Sequence, residues 1–264
     1  MSTYPAFQSR VVITGAGGGL GRALALAFAR RGWKIAICDV NATGLQATAA
    51  RISGHGVDVL VHECDVTSDH DIEQLRDACV RKWSGIDVLI NNAGVASMGA
   101  IHKEPMSRWQ RLIDINLLGV VRGCKTFVPL LKEQGGGHIV NIASIAGIAN
   151  TPYMAAYNAT KAAVISLSET LQPELKSSNI GVTVVCPAMF KTGIAEGSEI
   201  GSPKLKRALE EQMEKSPISA EDIALEVYRA IERNQFLLIP HKASRWQWRL
   251  KRLSPSLYRR SLFR

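Results

Sequence analysis

The sequence predicts an α/β fold: a single domain on a doubly wound, seven-stranded parallel sheet with helices on both faces. Three observations predict it. Short β-rich apolar runs recur seven times, helical patterns separate each from the next, and the first run opens through a glycine-rich turn into a helix. The 264 residues, 46% of them apolar, suffice for a full core, and no repeat, low-complexity tract or Gly/Ser linker interrupts them.

The strands are expected at 11–14, 34–39, 57–64, 86–91, 137–144, 181–187 and 236–240. Several lack polar alternation, as strands covered on both faces do. Helices are expected at 20–31, 42–53, 69–83, 107–133, 155–177, 204–214 and 220–234. Ser68 with Asp71, and Ser219 with Asp222, provide capping-box starts for two of them. Residues 1–240 thus read as the folded domain and 241–264 as a tail. Of the 32 Lys and Arg, eight lie in 241–264 with no Asp or Glu, leaving 24 basic against 23 acidic side chains in the rest. The body is nearly neutral and the tail is basic.

Several classes of protein are disfavoured by composition and motif. The five cysteines (Cys38, Cys64, Cys79, Cys124, Cys186) form no C-x-x-C pair and mostly lie in apolar runs, which reads as small core residues in a reducing cytoplasm. No segment reaches the ~20 apolar residues of a membrane span, and the N-terminus lacks a leader pattern. Ser144 is not in a G-x-S-x-G elbow, no G-K-[ST] phosphate loop occurs, and the six histidines show no metal-ligand spacing, so no metal is expected.

The first strand runs into Thr14-Gly15-Ala16-Gly17-Gly18-Gly19-Leu20-Gly21, followed by a helix. Glycines allow the sharp turn and the close approach of a pyrophosphate, whose charge meets free N–H groups and the positive end of the helix. A tight strand–helix turn without ligand is the plain alternative. Asp39 closes the second strand eighteen residues after Gly21, where a carboxylate can accept from an adenosine ribose 2′-OH and would repel a 2′-phosphate. With no Arg or Lys at positions 17, 18 or 40, NAD is favoured over NADP. A turn or cap role before Asn41 is the alternative for Asp39.

Tyr157 and Lys161 are four residues apart in a helical stretch and therefore share a face, with Ser144 thirteen residues upstream of the tyrosine. A free tyrosine titrates near 10, so acting as a base at neutral pH needs a fall of about three units, ~4 kcal/mol. One cation about 4 Å away at an effective dielectric near 20 supplies roughly that much. The pair works only where water is largely excluded.

These residues together resemble the short-chain dehydrogenase/reductase family over 8–240, and so a Rossmann-type fold. Thr14, Gly15, Gly19 and Gly21 fit its T-G-x-x-x-G-x-G pattern, and Asn91-Asn92-Ala93-Gly94 its N-N-A-G motif. The resemblance implies a catalytic set of Asn116, Ser144, Tyr157 and Lys161. It implies cofactor contacts at the glycine turn (Gly15, Gly17, Gly18, Gly19, Leu20, Gly21), at Asp39, Asp65 and Val66, and at Asn92, Ala93 and Gly94. Further contacts follow at Tyr157, Lys161, Pro187 and Thr192. Tyr157 would exchange the substrate hydroxyl proton, Lys161 would also bind the nicotinamide ribose, and Asn116 would anchor a relay water. One departure stands out: the family's Pro-Gly after the sixth strand is Pro187-Ala188 here. A non-catalytic nucleotide-bound scaffold or sensor is the competing reading.

The resemblance places the substrate pocket in loops 95–101, 145–153 and 189–203, the last within a substrate loop at 188–216. Their side chains are mostly apolar (Val95, Met98, Ile101, Ile145, Ile148, Met189, Phe190, Ile194), as is the adjoining Met154, which favours an apolar alcohol or ketone. Ser144, Tyr157, Met189 and Phe190 are the expected substrate contacts, and 193–203 reads as a lid or as an ungated loop. A homodimer or homotetramer through 107–133 and 155–177 is implied. In the tail, Trp246, Leu250, Leu253 and Leu257 form an amphipathic stripe that Pro255 interrupts. An anionic membrane surface suits it, and so does packing on the core or a partner subunit; nucleic acid is disfavoured because no recognised module accompanies the tail.

Overall fold

The structure, a computed structural model, describes residues 9–191, 199–200, 207, 211 and 213–262. Seven parallel strands form the central sheet: β1 (Arg10–Thr14), β2 (Lys34–Asp39), β3 (Val59–Glu63), β4 (Val88–Asn91), β6 (Gly137–Ile142), β7 (Ile180–Val185) and β9 (Leu237–Leu238). Their order is β3-β2-β1-β4-β6-β7-β9, so the chain winds outward in one direction from β1 and in the other from β4. In such sheets the crevice beyond the carboxyl ends of the strands, where the order reverses, is the binding position. A small second sheet, absent from the sequence reading, pairs β5 (Ser97–Met98) with β8 (Glu199–Ile200) in parallel.

Strand period puts alternate residues on opposite faces. Val11, Ile13, Ile35, Ile37, Val88 and Ile90 pack against α1 (Gly19–Ala29), α2 (Ala42–Ser53) and α8 (Ala220–Glu232). Val12, Ala36, Cys38, Leu89, Ile139 and Val184 pack against α3 (Asp69–Trp83), α5 (Gly119–Glu133) and α7 (Ala155–Leu175). All five cysteines are buried and free, as core residues. At the amino end of the sheet, Arg10 grips Asp87 with Nε and Nη2, both at 3.0 Å, and donates to the Trp83 carbonyl. Charge pairing and filled donors make this buried pair tolerable. His138 sits inside the sheet, where burial pushes its pKa down to about 3. Thr183 Oγ1 donates to the Gln235 carbonyl, so it accepts from His138 Nε2 at 2.8 Å, which fixes a neutral, Nε2-protonated ring.

Several expected bounds move. The third strand is shorter than 57–64, the fifth ends at Ile142, the sixth starts at Ile180, and the last keeps only two residues of 236–240. Ser144 therefore lies in the loop after β6. The expected single helix at 107–133 is α4 (Met106–Ile113), a π-helical turn at Asp114–Leu118, and α5. Ser219 and Asp222 form the complete capping box at α8. At α3 the box is incomplete, because one Asp71 oxygen accepts from Ser68 Oγ while the other takes the Asp65 N–H. Most of the helix expected at 204–214 and of the loop 188–216 lies outside the described residues. The tail forms α9 (Lys242–Leu253) and α10 (Pro255–Leu262), broken at the proline as its fixed φ requires.

Candidate active site

The glycine turn lies between β1 and α1, at the reversal of strand order. Gly15 has φ +65°, and a Cβ on it would sit 2.7 Å from Ala93 Cα; one on Gly21 would sit 2.1 Å from the Gly15 carbonyl oxygen. No side chain fits at either position. The N-N-A-G motif holds the turn from the β4 side. Asn92 Nδ2 donates to the carbonyls of Thr14 and Gly15 at 2.8 and 3.0 Å, and Thr14 Oγ1 accepts the N–H groups of Asn92 and Ala93. Beside Gly18, by contrast, no described residue lies within 4 Å of the Cβ position, and α1 begins there with no side-chain cap. Unmade N–H groups at a helix start next to open space fit a pyrophosphate.

Asp39 ends β2 facing this turn. Its Oδ2 accepts the Gly17 N–H at 2.8 Å and its Oδ1 the Asn41 N–H at 3.0 Å, bonds that belong to the turn role read from sequence. Arg22 is occupied by Thr48 Oγ1 and the carbonyls of Gly17 and Gly44. Asp65 is exposed and holds Thr67 through its N–H and hydroxyl, while Val66 is buried. Thr192 lies outside the described residues.

Two of the four expected catalytic residues, Asn116 and Lys161, meet below Gly94, and Tyr157 adjoins Ser144 and Lys161. A Cβ on Gly94 would sit 3.1 Å from Asn116 Oδ1 and 3.4 Å from Lys161 Nζ. Asn116 lies in the π turn and is fully buried; its Oδ1 accepts the Val95 N–H at 2.8 Å, and its Nδ2 donates to the Val95 carbonyl at 2.9 Å and to Thr160 Oγ1 at 3.2 Å. The extra residue in a π turn re-aims a side chain relative to an α-helix, and here it aims Asn116 at the loop after β4. Ser144 Oγ accepts the Ala146 N–H at 3.1 Å and points at the Pro187 carbonyl. The short α6 (Ala146–Ala149) then lies directly on α7: a Cβ on Gly147 would sit 2.6 Å from the Lys161 carbonyl carbon. Gly147 and Thr160 are site-forming residues that no sequence motif flagged.

Tyr157 and Lys161 lie one turn apart on α7 and are 8% and 3% exposed. Lys161 Nζ donates to the Ile142 carbonyl at 2.8 Å and lies 5.8 Å from the centre of the Tyr157 ring. Burial pushes the Tyr157 phenol above its ordinary 10, with the Ser144 hydroxyl acting in the opposite direction. Burial also brings Lys161 down from 10.5 to about 8, the Cys186 thiol opposing. Both side chains are thus largely shielded from solvent. In the protein alone, however, dryness favours the protonated phenol.

Ala188 causes no strain. Its φ is not among the positive values of the chain, so glycine is not needed, and its N–H donates to His241 Nδ1 at 3.2 Å. Met189 is half-buried and packs with Met98, Ile200 and Met213, whereas Phe190 joins the main core beneath α1 and α8. Met154, Tyr157, Ala96 and Leu112 form an adjoining apolar cluster with Val95, Met98 and Trp109 against it. Methionines thus cluster beside Tyr157, whereas Phe190 serves the core. Ile194 and the expected lid at 193–203 lie outside the described residues apart from Glu199–Ile200.

Comparison with known proteins agrees with this arrangement. Residues 9–201 match the short chain dehydrogenase family. The probable oxidoreductase EphD of Mycobacterium tuberculosis is 36% identical over 194 residues, 73% of this chain; the match covers 33% of EphD, so the chain spans about a third of that relative. A short-chain dehydrogenase/reductase from Burkholderia phymatum, solved in complex with NAD, superposes with a TM-score of 0.89 at 32% identity over 94% of both chains. One from Sphingobium yanoikuyae, solved with NADPH, gives 0.77 at 32% identity over 90% of both. No described helix is long and apolar enough to cross a membrane. With the match running from β1 through the glycine turn to the Tyr–Lys helix, the chain belongs to the short chain dehydrogenase family.

Proposed function

We propose that the protein interconverts an apolar secondary alcohol, steroid-like or long-chain, and its carbonyl, with NAD preferred. The observation that carries this reading is the shared burial of Asn116, Ser144, Tyr157 and Lys161, with Asn116 and Lys161 meeting at Gly94, together with a turn in which side chains are sterically barred. A bound nicotinamide dinucleotide supplies hydride acceptance or donation and, when oxidised, a positive ring charge. The glycine turn, Asp39, the Asp65–Val66 edge and Asn92–Gly94 would hold it, with Pro187 and Thr192 on the nicotinamide side. The Asp39 carboxylate and the prior commitment of Arg22 both disfavour an added 2′-phosphate.

Ser144 Oγ holds the substrate oxygen and Tyr157 exchanges its proton. Because burial keeps the phenol protonated, Tyr157 is ready as the acid of carbonyl reduction. For alcohol oxidation the phenolate needs a second positive charge besides Lys161. Lys161, largely protonated at neutral pH, returns the proton toward solvent through the Asn116 region. The apolar side chains around Met98, Met154 and Met189 favour a substrate without a charged group, and α5 and α7 are the faces for a homodimer or homotetramer.

The test is NADH formation with a panel of secondary, steroid-like and long-chain alcohols by wild type and Tyr157→Phe, beside NAD binding by titration calorimetry. Turnover in the wild type, lost by at least about 100-fold in the variant with NAD binding retained, is expected. A wild type that binds NAD and oxidises none of the panel would favour the scaffold reading.

A further inference from the structure

The tail is folded onto the body with three of the four residues of its apolar stripe outside and the fourth, Leu250, half-buried. Ser244 and Tyr258 are buried and Trp248 packs on the core. Arg245 donates to the carbonyls of Ile239 and Pro240, Lys251 to that of Ile148, and Tyr258 to that of Ala149 at 2.8 Å. On the opposite side, Trp246, Leu253 and Leu257 are 66%, 85% and 53% exposed. Among the described residues, no Lys or Arg of α9 or α10 forms an ion pair. The basic surface continues onto the body in a groove of about 440 Å³ lined by Arg229, Arg233, Arg245, Arg249 and Trp248, with Glu226 as the carboxylate in its wall.

Exposed leucine and tryptophan in a ring of unpaired cations match one occupant. We propose that α9 and α10 dock the protein on an anionic lipid bilayer, lying in its interface without crossing it. A second copy fits poorly, because a two-fold contact through this face would set one tail of eight cations and no acids against another. A lipid interface takes the apolar stripe at the acyl boundary and the cations at the headgroups. The geometry also gives docking a consequence. Ile148 and Ala149 lie between Ser144 and Tyr157, and Tyr153, 60% exposed, accepts the Gly99 N–H through its carbonyl. Beyond Gly99, Ile101 and Met106 are 60% and 77% exposed. The tail is thus tied to the apolar rim of the site, which docking would bring to the lipid.

The experiment is flotation of the full chain with vesicles of phosphatidylcholine alone, or with about 30% phosphatidylglycerol added. The wild type is expected to float with the anionic vesicles only and to be released by high salt. Trp246→Ser, Leu253→Ser and Leu257→Ser combined, and separately Arg249→Gln, Arg252→Gln, Arg259→Gln and Arg260→Gln combined, should each lower partitioning at least about tenfold. Unchanged thermal unfolding and NAD binding would show that both variants are folded. A wild type that stays unbound, or an apolar-stripe variant that floats equally well, overturns the proposal. So does a solution mass that falls only in the apolar-stripe variant, which would assign the stripe to a subunit contact.

Discussion

Lys161→Met should make the protein more stable at neutral pH while removing its turnover. Moving the ammonium from 10.5 to about 8 costs about 3.4 kcal/mol of folded-state stability when the group is charged. Methionine keeps most of the packing volume but forfeits the bond to the Ile142 carbonyl, about 1–2 kcal/mol. The net gain is about 1–2 kcal/mol, or about 2–6 °C in Tm. Its sign depends on pH in a defined way. Between about 8 and 10.5 the unfolded lysine holds its proton and the folded one does not, so wild-type stability rises with pH through that window. The advantage of the variant should therefore shrink by about 2 kcal/mol between pH 7 and pH 9.5. Thermal unfolding of both proteins across this range is the assay, with alcohol oxidation measured in parallel and expected to fall at least about 100-fold. A variant that is less stable at pH 7, by an amount that does not change with pH, would refute the reasoning.

Three further outcomes are expected. His138, at about 3 in the fold, binds its proton more tightly when unfolded, so stability should fall by about 2 kcal/mol between pH 7 and pH 5; urea titration should show that slope flattened in His138→Gln. Asp39→Ser removes the charge that holds the Gly17 N–H, and the kcat/KM ratio of NAD to NADP should drop at least about tenfold in steady-state kinetics. Gly21→Ala forces a Cβ to within 2.1 Å of the Gly15 carbonyl oxygen, and NAD binding by calorimetry should be lost even where circular dichroism shows the sheet intact.

What could be read from sequence follows from which interactions are local. The strand–glycine–helix order, Asp39 at a strand end and the Tyr157–Lys161 spacing are set by neighbours a few residues away, and each stands where the periodicities put it. The π turn is different. It adds one residue to a helical ring, leaves no trace in a pattern of 3.6, and yet turns the Asn116 carboxamide toward Val95. Contacts made by missing atoms are equally silent: Gly147 looks like any glycine until α6 is laid on α7. The tail shows the opposite limit, since its apolar stripe is plain in the sequence but its inward face is not. Lys251, Tyr258 and Arg245 find carbonyls on the body, and those bonds, more than the apolar count, decide which side turns in.

The Tyr–Lys pair joins these threads, because its residues are legible and its proton is not. Sequence supplies a phenol, an ammonium and the helical turn between them, from which the simplest inference is a phenolate made by its lysine. Burial acts on both groups against their charged forms, raising Tyr157 and bringing Lys161 to about 8. The Ser144 hydroxyl offsets only part of the rise in Tyr157. The apolar enclosure that lets one charge act strongly on another is therefore the same enclosure that keeps the proton on the tyrosine until further positive charge arrives. On the proposed function, such a site is a poor base by itself and would become one only when loaded with an oxidised cofactor. That would restrict proton removal from an alcohol to the state in which a hydride acceptor is already present.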